Sequence, residues 1–335
     1  MKAIVYAQAG LPIDDPQALY EADVPVPEPG PRDLLVKIKA ISVNPVDTKL
    51  RGGVQPAGPR ILGWDAVGTV EAAGAEVELF KVGDEVWYAG DITRPGSYAE
   101  YGLVDERIAS RRPATLSAAE AAALPLTAIT AWELLFDRLK VPENGGAGQS
   151  LLVIGAGGGV GSILVQLARK LTALTVIGTA SRPATQAWVT DLGAHHVIDH
   201  SKPLQPQLTP FGIEHVDHVI SLTHTDAYYQ QIVDLLKPEG QLALIDDPAT
   251  LDAMPLKRKS ISLHWEFMFT RSMYRTQDMI LQHRLLERIA ALIDDGVLKT
   301  TVGQRLGKID ADNLRRAHAL IEAGRAKGKI VLEGF

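Results

Sequence analysis

Apolar and polar side chains alternate through Val36-Lys37-Ile38-Lys39-Ala40-Ile41, the period of a strand with one buried face. Runs of this kind, broken by Gly and Pro, continue from Met1 to about Pro125, and residues 68–74 and 82–87 predict further short strands with turn glycines between them. Ahead of Val36, the segment Val24-Pro25-Val26-Pro27-Glu28-Pro29-Gly30-Pro31 places proline at every second position, which predicts a loop or an edge and no central strand. The sum is an antiparallel, barrel-like β domain. The pattern changes at Ser117, where an N-cap residue followed three positions later by Glu120 has the spacing of a capping box, so helices begin there.

From Ser150 the periods alternate between strand and helix. Strands are predicted at 151–155, 175–179, 196–199, 218–221 and 241–246, with helices at 160–171, 184–192 and 226–236. This order specifies a doubly wound parallel sheet covered by helices on both faces. In the first of these helices Val160, Ile163, Leu164, Leu167, Ala168 and Leu171 fall on one face. A strand-like run at 262–269 follows, then an amphipathic helix through Ile280, Leu285, Ile289 and Leu292. The last run, 329–332, predicts a short strand returning to the first domain. The expected division is therefore 1–125 with 272–335 as one domain and 126–271 as the other.

Composition narrows the chemistry. The chain has 335 residues, 46% of them apolar, enough for two buried cores. Its net charge of −6 supplies no basic face for a phosphate backbone, so nucleic acid is not an expected partner. With no cysteine, the chain forms no disulfide, no Cys-ligated zinc site and no Cys nucleophile. Residues 151–168 carry no charge over 18 positions, the length of a membrane span. Five glycines lie in that window, and interior glycine costs roughly 1 kcal/mol each relative to alanine in a helix, so strand, glycine turn and helix describe it better. Met1-Lys2-Ala3-Ile4-Val5-Tyr6 runs straight into a strand with no long apolar stretch behind it. The expectation is a cytoplasmic protein that does not engage a membrane.

The most informative segment is Ile154-Gly155-Ala156-Gly157-Gly158-Gly159-Val160-Gly161-Ser162. A buried strand enters a turn nearly free of side chains, and the following helix offers free amides at Gly159 and Val160 to an anion. Strict G-x-G-x-x-G spacing is not met. Reading Ala156-x-Gly158-x-x-Gly161 puts alanine first, Gly158 where backbone approaches a pyrophosphate, and Gly161 where helix and sheet pack closely. The next strand ends in Ser181-Arg182 with no acidic residue before Asp191, the arrangement of an NADP site, which predicts NADPH. Taken singly, Arg182 also reads as a solvated surface charge.

These residues resemble the medium-chain dehydrogenase/reductase superfamily, in its zinc-free branch of NADPH-dependent quinone oxidoreductases and enone reductases. The resemblance spans almost the whole chain. It rests on Val43-Asn44-Pro45-Val46-Asp47-Thr48, Gly63-Trp64-Asp65-Ala66-Val67-Gly68-Thr69-Val70, Val82-Gly83-Asp84-Glu85-Val86, Leu126-Thr127-Ala128-Ile129-Thr130-Ala131-Trp132, the glycine turn, Leu192-Gly193-Ala194 and Gly328-Lys329-Ile330-Val331-Leu332. The section Glu266-Phe267-Met268-Phe269-Thr270-Arg271 resembles a subfamily known as zinc-type alcohol dehydrogenase-like.

The resemblance implies a GroES-like β-barrel catalytic domain plus a Rossmann domain, a homodimer, and a site in the cleft between the domains. Zinc-dependent members bind the catalytic metal through two cysteines and a histidine. Here Asn44 stands at the first cysteine position and Trp64 at the histidine position, so no metal is expected. Hydride transfer to an enone or quinone needs only hydrogen bonds to the developing oxyanion. In that scheme Asn44, Asp47, Trp64 and Asp65 line the substrate site, with Asn44 donating to the substrate oxygen and Trp64 forming a flat wall. Thr127 and Thr130 lie by the nicotinamide ribose or phosphate, His200 packs on the adenosine, and Phe269 joins the cofactor set. Two alternatives stay open at individual residues: Asn44 and Asp47 brace the loop through backbone bonds, and Trp64 is core. At the level of function the alternatives are an alcohol dehydrogenase with an unrecognised metal site, and a non-catalytic NADPH-binding protein of crystallin-like or redox-sensing type.

Overall fold

The computed structural model describes all 335 residues and divides into two compact units, residues 1–129 with 269–335 and residues 130–268. The expected boundaries lay at 125/126 and 271/272. The physical reason for the first difference is a helix, Pro125–Trp132, that runs through the boundary, so the change of pattern near Pro125 marks where a helix starts and not where a unit ends.

In chain order the strands are β1 (Lys2–Tyr6), β2 (Tyr20–Asp23), β3 (Asp33–Val43), β4 (Arg60–Ile61), β5 (Ala66–Ala73), β6 (Glu85–Tyr88), β7 (Tyr101–Asp105) and β8 (Ala109–Arg111). The second unit contributes β9 (Ser150–Ile154), β10 (Thr175–Thr179), β11 (His196–Ile198), β12 (Val216–Ser221), β13 (Leu236–Leu244) and β14 (Ser262–Trp265). The chain then returns to the first unit with β15 (Val302–Arg305) and β16 (Lys329–Glu333). Residues 24–30 form no strand.

The first unit holds a three-stranded sheet, β2-β1-β4, and a seven-stranded one, β15-β16-β3-β5-β6-β8, with β7 also paired to β3. The eleven residues of β3 explain the branching. Its first half pairs with β7 and its last four residues pair antiparallel with β16, so that Val43 faces Ile330. The C-terminal strand thereby reaches the segment that follows β3. That segment is helix α1 (Pro45–Gly53), which the apolar pattern did not predict because its buried residues, Asp47, Thr48 and Arg51, are polar. Its signal lay elsewhere: Asn44 as N-cap, Pro45 at the first turn and Asp47 in the first turn. The helix at Ser117 forms as expected, α2 (Ala118–Ala122), with Ser117 and Glu120 exchanging capping bonds. It is followed by α3 (Pro125–Trp132). The helical stretch Ala118–Arg138 is long and apolar enough to cross a bilayer, yet 83% of its apolar window is buried inside the protein, the state of a core helix.

The second unit is a six-stranded, all-parallel sheet in the order β11-β10-β9-β12-β13-β14. Helices α4 (Gly159–Leu171) and α5 (Pro183–Asp191) supply the first two crossovers. Strand order reverses at β9, which has β10 on one side and β12 on the other. Ligands of such sheets bind at that reversal, beyond the carboxyl ends of the strands. The core below it joins Leu152, Ile154, Ile177, Val219, Leu242 and Leu244, all essentially inaccessible. The run expected to be strand through residue 269 stops at Trp265, and Phe269 belongs to the first unit.

Candidate active site

The loop from β3 into α1 and the loop from β4 into β5 carry the four residues expected to face substrate. All four are buried: Asn44, Asp47, Trp64 and Asp65 expose 1% or less. Burying two carboxylates demands compensation, because an unpaired charge in a low-dielectric interior costs several kcal/mol. Asp65 receives it from four donors. Its Oδ2 accepts from Ser42 Oγ at 2.6 Å, Asn44 Nδ2 at 2.8 Å and Lys329 Nζ at 3.0 Å. Its Oδ1 accepts from the Leu126 amide at 2.8 Å, at the N-terminus of α3, where the helix dipole favours an anion.

Lys329, 3% exposed at the start of β16, is the partner that the sequence did not reveal. Its ammonium donates to Asp65 Oδ2, to the Val43 carbonyl at 3.1 Å and to Asn44 Oδ1, which uses all three of its hydrogens. Both ends of the Asn44 carboxamide are therefore engaged, the oxygen by Lys329 and the nitrogen by Asp65. In this arrangement Asn44 is a brace, the alternative left open above, and its expected donation to a substrate oxygen is displaced by a stronger, charged acceptor.

Asp47 closes the first turn of α1 by accepting from the Asn44 amide at 2.6 Å and from Tyr98 Oη at 3.0 Å. Burial pushes its carboxyl up to about 7, against the pull of the Asn44 amide, Lys329 and Tyr98. Its Oδ1 has no partner. Beyond Tyr98, whose Oη lies 3.3 Å from His318 Nε2, burial drives the His318 imidazole down to about 3, helped by Arg51. Trp64 donates from Nε1 to the Asp91 carbonyl at 3.3 Å and meets Phe269 edge to face, with ring centroids 6.1 Å apart. Phe269, expected in the cofactor set, is thus 2% exposed against Trp64 in the first unit.

This donor set does not fit zinc. Of the three expected ligand positions, the first cysteine's holds the Asn44 carboxamide and the histidine's holds the Trp64 indole, the chain has no cysteine for the other, and both oxygens of the neighbouring Asp65 are taken by hydrogens. Elsewhere the histidines diverge. His195 Nδ1 accepts from the Val176 amide, His196 stacks on Phe211, and His200 Nδ1 lies 3.3 Å from Thr179 Oγ1. No group of three His, Asp or Glu side chains converges on a metal.

In the second unit the glycine turn follows β9. Gly155 has φ +82°, a left-handed turn that L side chains rarely adopt, so the tight-turn glycine is Gly155 and not position 156. Ala156 is fully buried, and a Cβ on Gly178 of β10 would come within 3.0 Å of its methyl. Its methyl packs against the sheet. Gly161 meets its expectation: a Cβ there would lie 2.5 Å from the Gly155 carbonyl. Gly158, Gly159 and Val160 stay partly exposed at the N-terminus of α4, whose first amides lack intrahelical acceptors. Thr179 joins this turn to the rim, accepting from the Gly155 amide at 3.1 Å while touching His200. His200 in turn meets the edge of Tyr228, ring centroids 6.1 Å apart. Ser181 is half-buried and Arg182, N-cap of α5, is exposed. Asp199, the nearest acid in sequence to His200, spends its carboxylate on Ser201 and Lys202. Thr127 and Thr130 are buried on α3, and Thr127 Oγ1 donates to the Leu124 carbonyl at 3.0 Å. The turn, its amides and a rim whose acid, Asp199, is engaged by Ser201 and Lys202 suit a dinucleotide.

The comparisons with known proteins agree with this architecture. Residues 30–114 match the alcohol dehydrogenase GroES-like domain, and residues 192–332 match the zinc-binding dehydrogenase family. A zinc-type alcohol dehydrogenase-like protein of Staphylococcus aureus is 44% identical over 94% of each chain. A chloroplastic quinone-oxidoreductase homolog of Spinacia oleracea is 31% identical over 99% of this chain and 98% of its own. The crystal structure of a putative zinc-dependent alcohol dehydrogenase from Rhizobium etli superposes with a TM-score of 0.96 at 53% identity, covering 100% of this chain and 98% of that one. With a GroES-like unit, a parallel dinucleotide-type sheet and relatives matched end to end, the chain belongs to the medium-chain dehydrogenase/reductase oxidoreductases, in their quinone-oxidoreductase-like, zinc-type alcohol dehydrogenase-like branch.

Proposed function

We propose that the protein is an NADPH-dependent reductase that delivers hydride to a quinone or an α,β-unsaturated carbonyl without a metal. The observation that carries this reading is the donor set around Asn44. Where a zinc-dependent relative needs thiolate and imidazole, this chain has a carboxamide and an indole, and its buried cation is the Lys329 ammonium. Lacking a Lewis acid to polarise an isolated carbonyl, the site suits conjugated acceptors whose developing charge spreads onto an oxygen. The spinach relative's name supports that substrate class.

When bound, NADPH supplies the hydride. The amides of Gly158, Gly159, Val160 and Gly161 would hold its pyrophosphate, Ser181 and Arg182 its 2′-phosphate, and His200 with Tyr228 its adenosine. Asn44, Asp47 and Asp65 keep the loop beside Trp64 in one conformation. NADPH oxidation by a panel of quinones and enones, run before and after chelation, tests the reading. Stoichiometric zinc with activity lost on chelation would refute it, and no turnover on any acceptor would favour the binding-protein alternative. For the cofactor, Arg182→Ala is expected to weaken NADPH by about tenfold while leaving NADH nearly unchanged, since only the phosphate contact is charge-assisted. Equal weakening of both would count against NADPH.

A homodimer along the free edge of β14 belongs to the same proposal. That strand ends the sheet, and Trp265 on it is 52% exposed, an edge that soluble proteins normally cover. Sedimentation should give twice the 36.1 kDa chain mass; a monomer at micromolar concentration would remove this part.

A further inference from the structure

Beside Trp64 the first unit contains a cavity of about 10 Å³, bordered by Trp64, Tyr88, Gly90, Asp91, Ser97 and Gly102. Space of that size admits one small heavy atom. The polar side chains on its wall are accounted for, with one exception. Trp64 Nε1 donates to the Asp91 carbonyl, Ser97 Oγ donates to the Asp65 carbonyl at 3.0 Å, and Asp91 Oδ1 accepts from the Thr93 amide and hydroxyl at 2.8 Å each. The exception is Tyr88. It is 4% exposed at the end of β6, and its buried hydroxyl has no hydrogen-bond partner.

Two bare α-carbons shape the space. A Cβ on Gly90 would lie 3.8 Å from both the Trp64 and Tyr88 rings, so its absence leaves the gap between them open. A Cβ on Gly102 would come within 2.9 Å of Tyr88 Oη, so only a glycine there leaves the hydroxyl its place on this wall. A buried hydroxyl without a partner costs about 1–3 kcal/mol, and unpaired polar groups in native proteins call for an explanation such as ligand recognition.

We propose that this niche is a specificity pocket for a single acceptor oxygen, the carbonyl or quinone oxygen of the substrate, with Tyr88 Oη as its hydrogen-bond donor. Burial holds Tyr88 firmly in its phenol form, which can donate. The choice of a carbonyl substrate rests on the function proposed above; the presence of a donor niche does not.

Tyr88→Phe in the full chain tests the assignment. The variant should lose at least tenfold in kcat/KM with p-benzoquinone, keep its NADPH affinity, and unfold at the same or a higher temperature, because it deletes an unpaired group. At equilibrium, the wild type should prefer cyclohexanone to methylenecyclohexane by tenfold or more, and Tyr88→Phe should bring the two within twofold. Gly102→Ala, whose Cβ crowds the Tyr88 hydroxyl while keeping the phenol, should also weaken cyclohexanone at least tenfold. Ketone preference that persists in both variants overturns the proposal. So does a lower unfolding temperature for Tyr88→Phe, since the hydroxyl would then have a partner, such as a bound water, in the free protein. Ketone preference without NADPH oxidation by any quinone or enone would defeat the reductase reading and leave the niche standing.

Discussion

Lys329→Met is expected to lower the unfolding free energy by about 3–5 kcal/mol, read from urea denaturation at pH 7, a large part of the stability of most domains. The size follows from burial. An exposed ion pair is worth at most about 1 kcal/mol, because water and salt screen it. Lys329 and Asp65 are 3% and 0% exposed, so removing the ammonium strands a carboxylate that water cannot reach. It also strips the Asn44 oxygen and the Val43 carbonyl of their donor. The loss should fall on the first unit, and under the function proposed above NADPH affinity should change little. A variant within about 1 kcal/mol of wild type would mean that the network is worth no more than a surface pair.

The second expectation concerns pH. Asp47 holds its proton up to about 7 in the folded protein, against an ordinary value of 3.8, so between pH 4 and 6.5 the folded state binds a proton that the unfolded state has released. Its stabilising contribution is complete below the unfolded value and is lost as pH rises through 7. His318 behaves in the opposite sense. Its folded value of about 3 lies below the ordinary value of 6.5, so in the same window the unfolded state carries the extra proton and stability rises with pH. Each slope is about 1.4 kcal/mol per pH unit, and with opposite signs they largely cancel. Wild-type stability should therefore be insensitive to this pair between pH 4 and 6.5. Relative to wild type, Asp47→Asn should gain a stability slope that rises with pH, and His318→Gln one that falls. Urea midpoints at pH 4.5, 5.5 and 6.5 report both, and identical pH profiles for the three proteins would show that neither group titrates as burial dictates.

What could be read in the chain was local. Alternation at Val36–Ile41, the Ser117–Glu120 capping box and the strand, turn and helix around Gly155–Gly161 each reflect interactions within a few residues, so their elements formed where expected. Helix α1 escaped the apolar pattern because it buries Asp47, Thr48 and Arg51 through polar partners and not through an apolar stripe. The fingerprint fixes spacing only, whereas the left-handed φ of Gly155 and the burial of Ala156 depend on how the turn meets β10 and the loop after β12.

By itself, then, the sequence determined the two-part architecture, the place of the glycine turn and the absence of cysteine ligands, since these follow from period, punctuation and composition. Tertiary structure alone decided what Asn44 does. Its carboxamide meets an ammonium 285 residues away, and that same ammonium meets Asp65 across 264 residues. Such pairs leave no trace in local spacing. They form only because β16 pairs with the end of β3, and burial there makes each charge depend on the other.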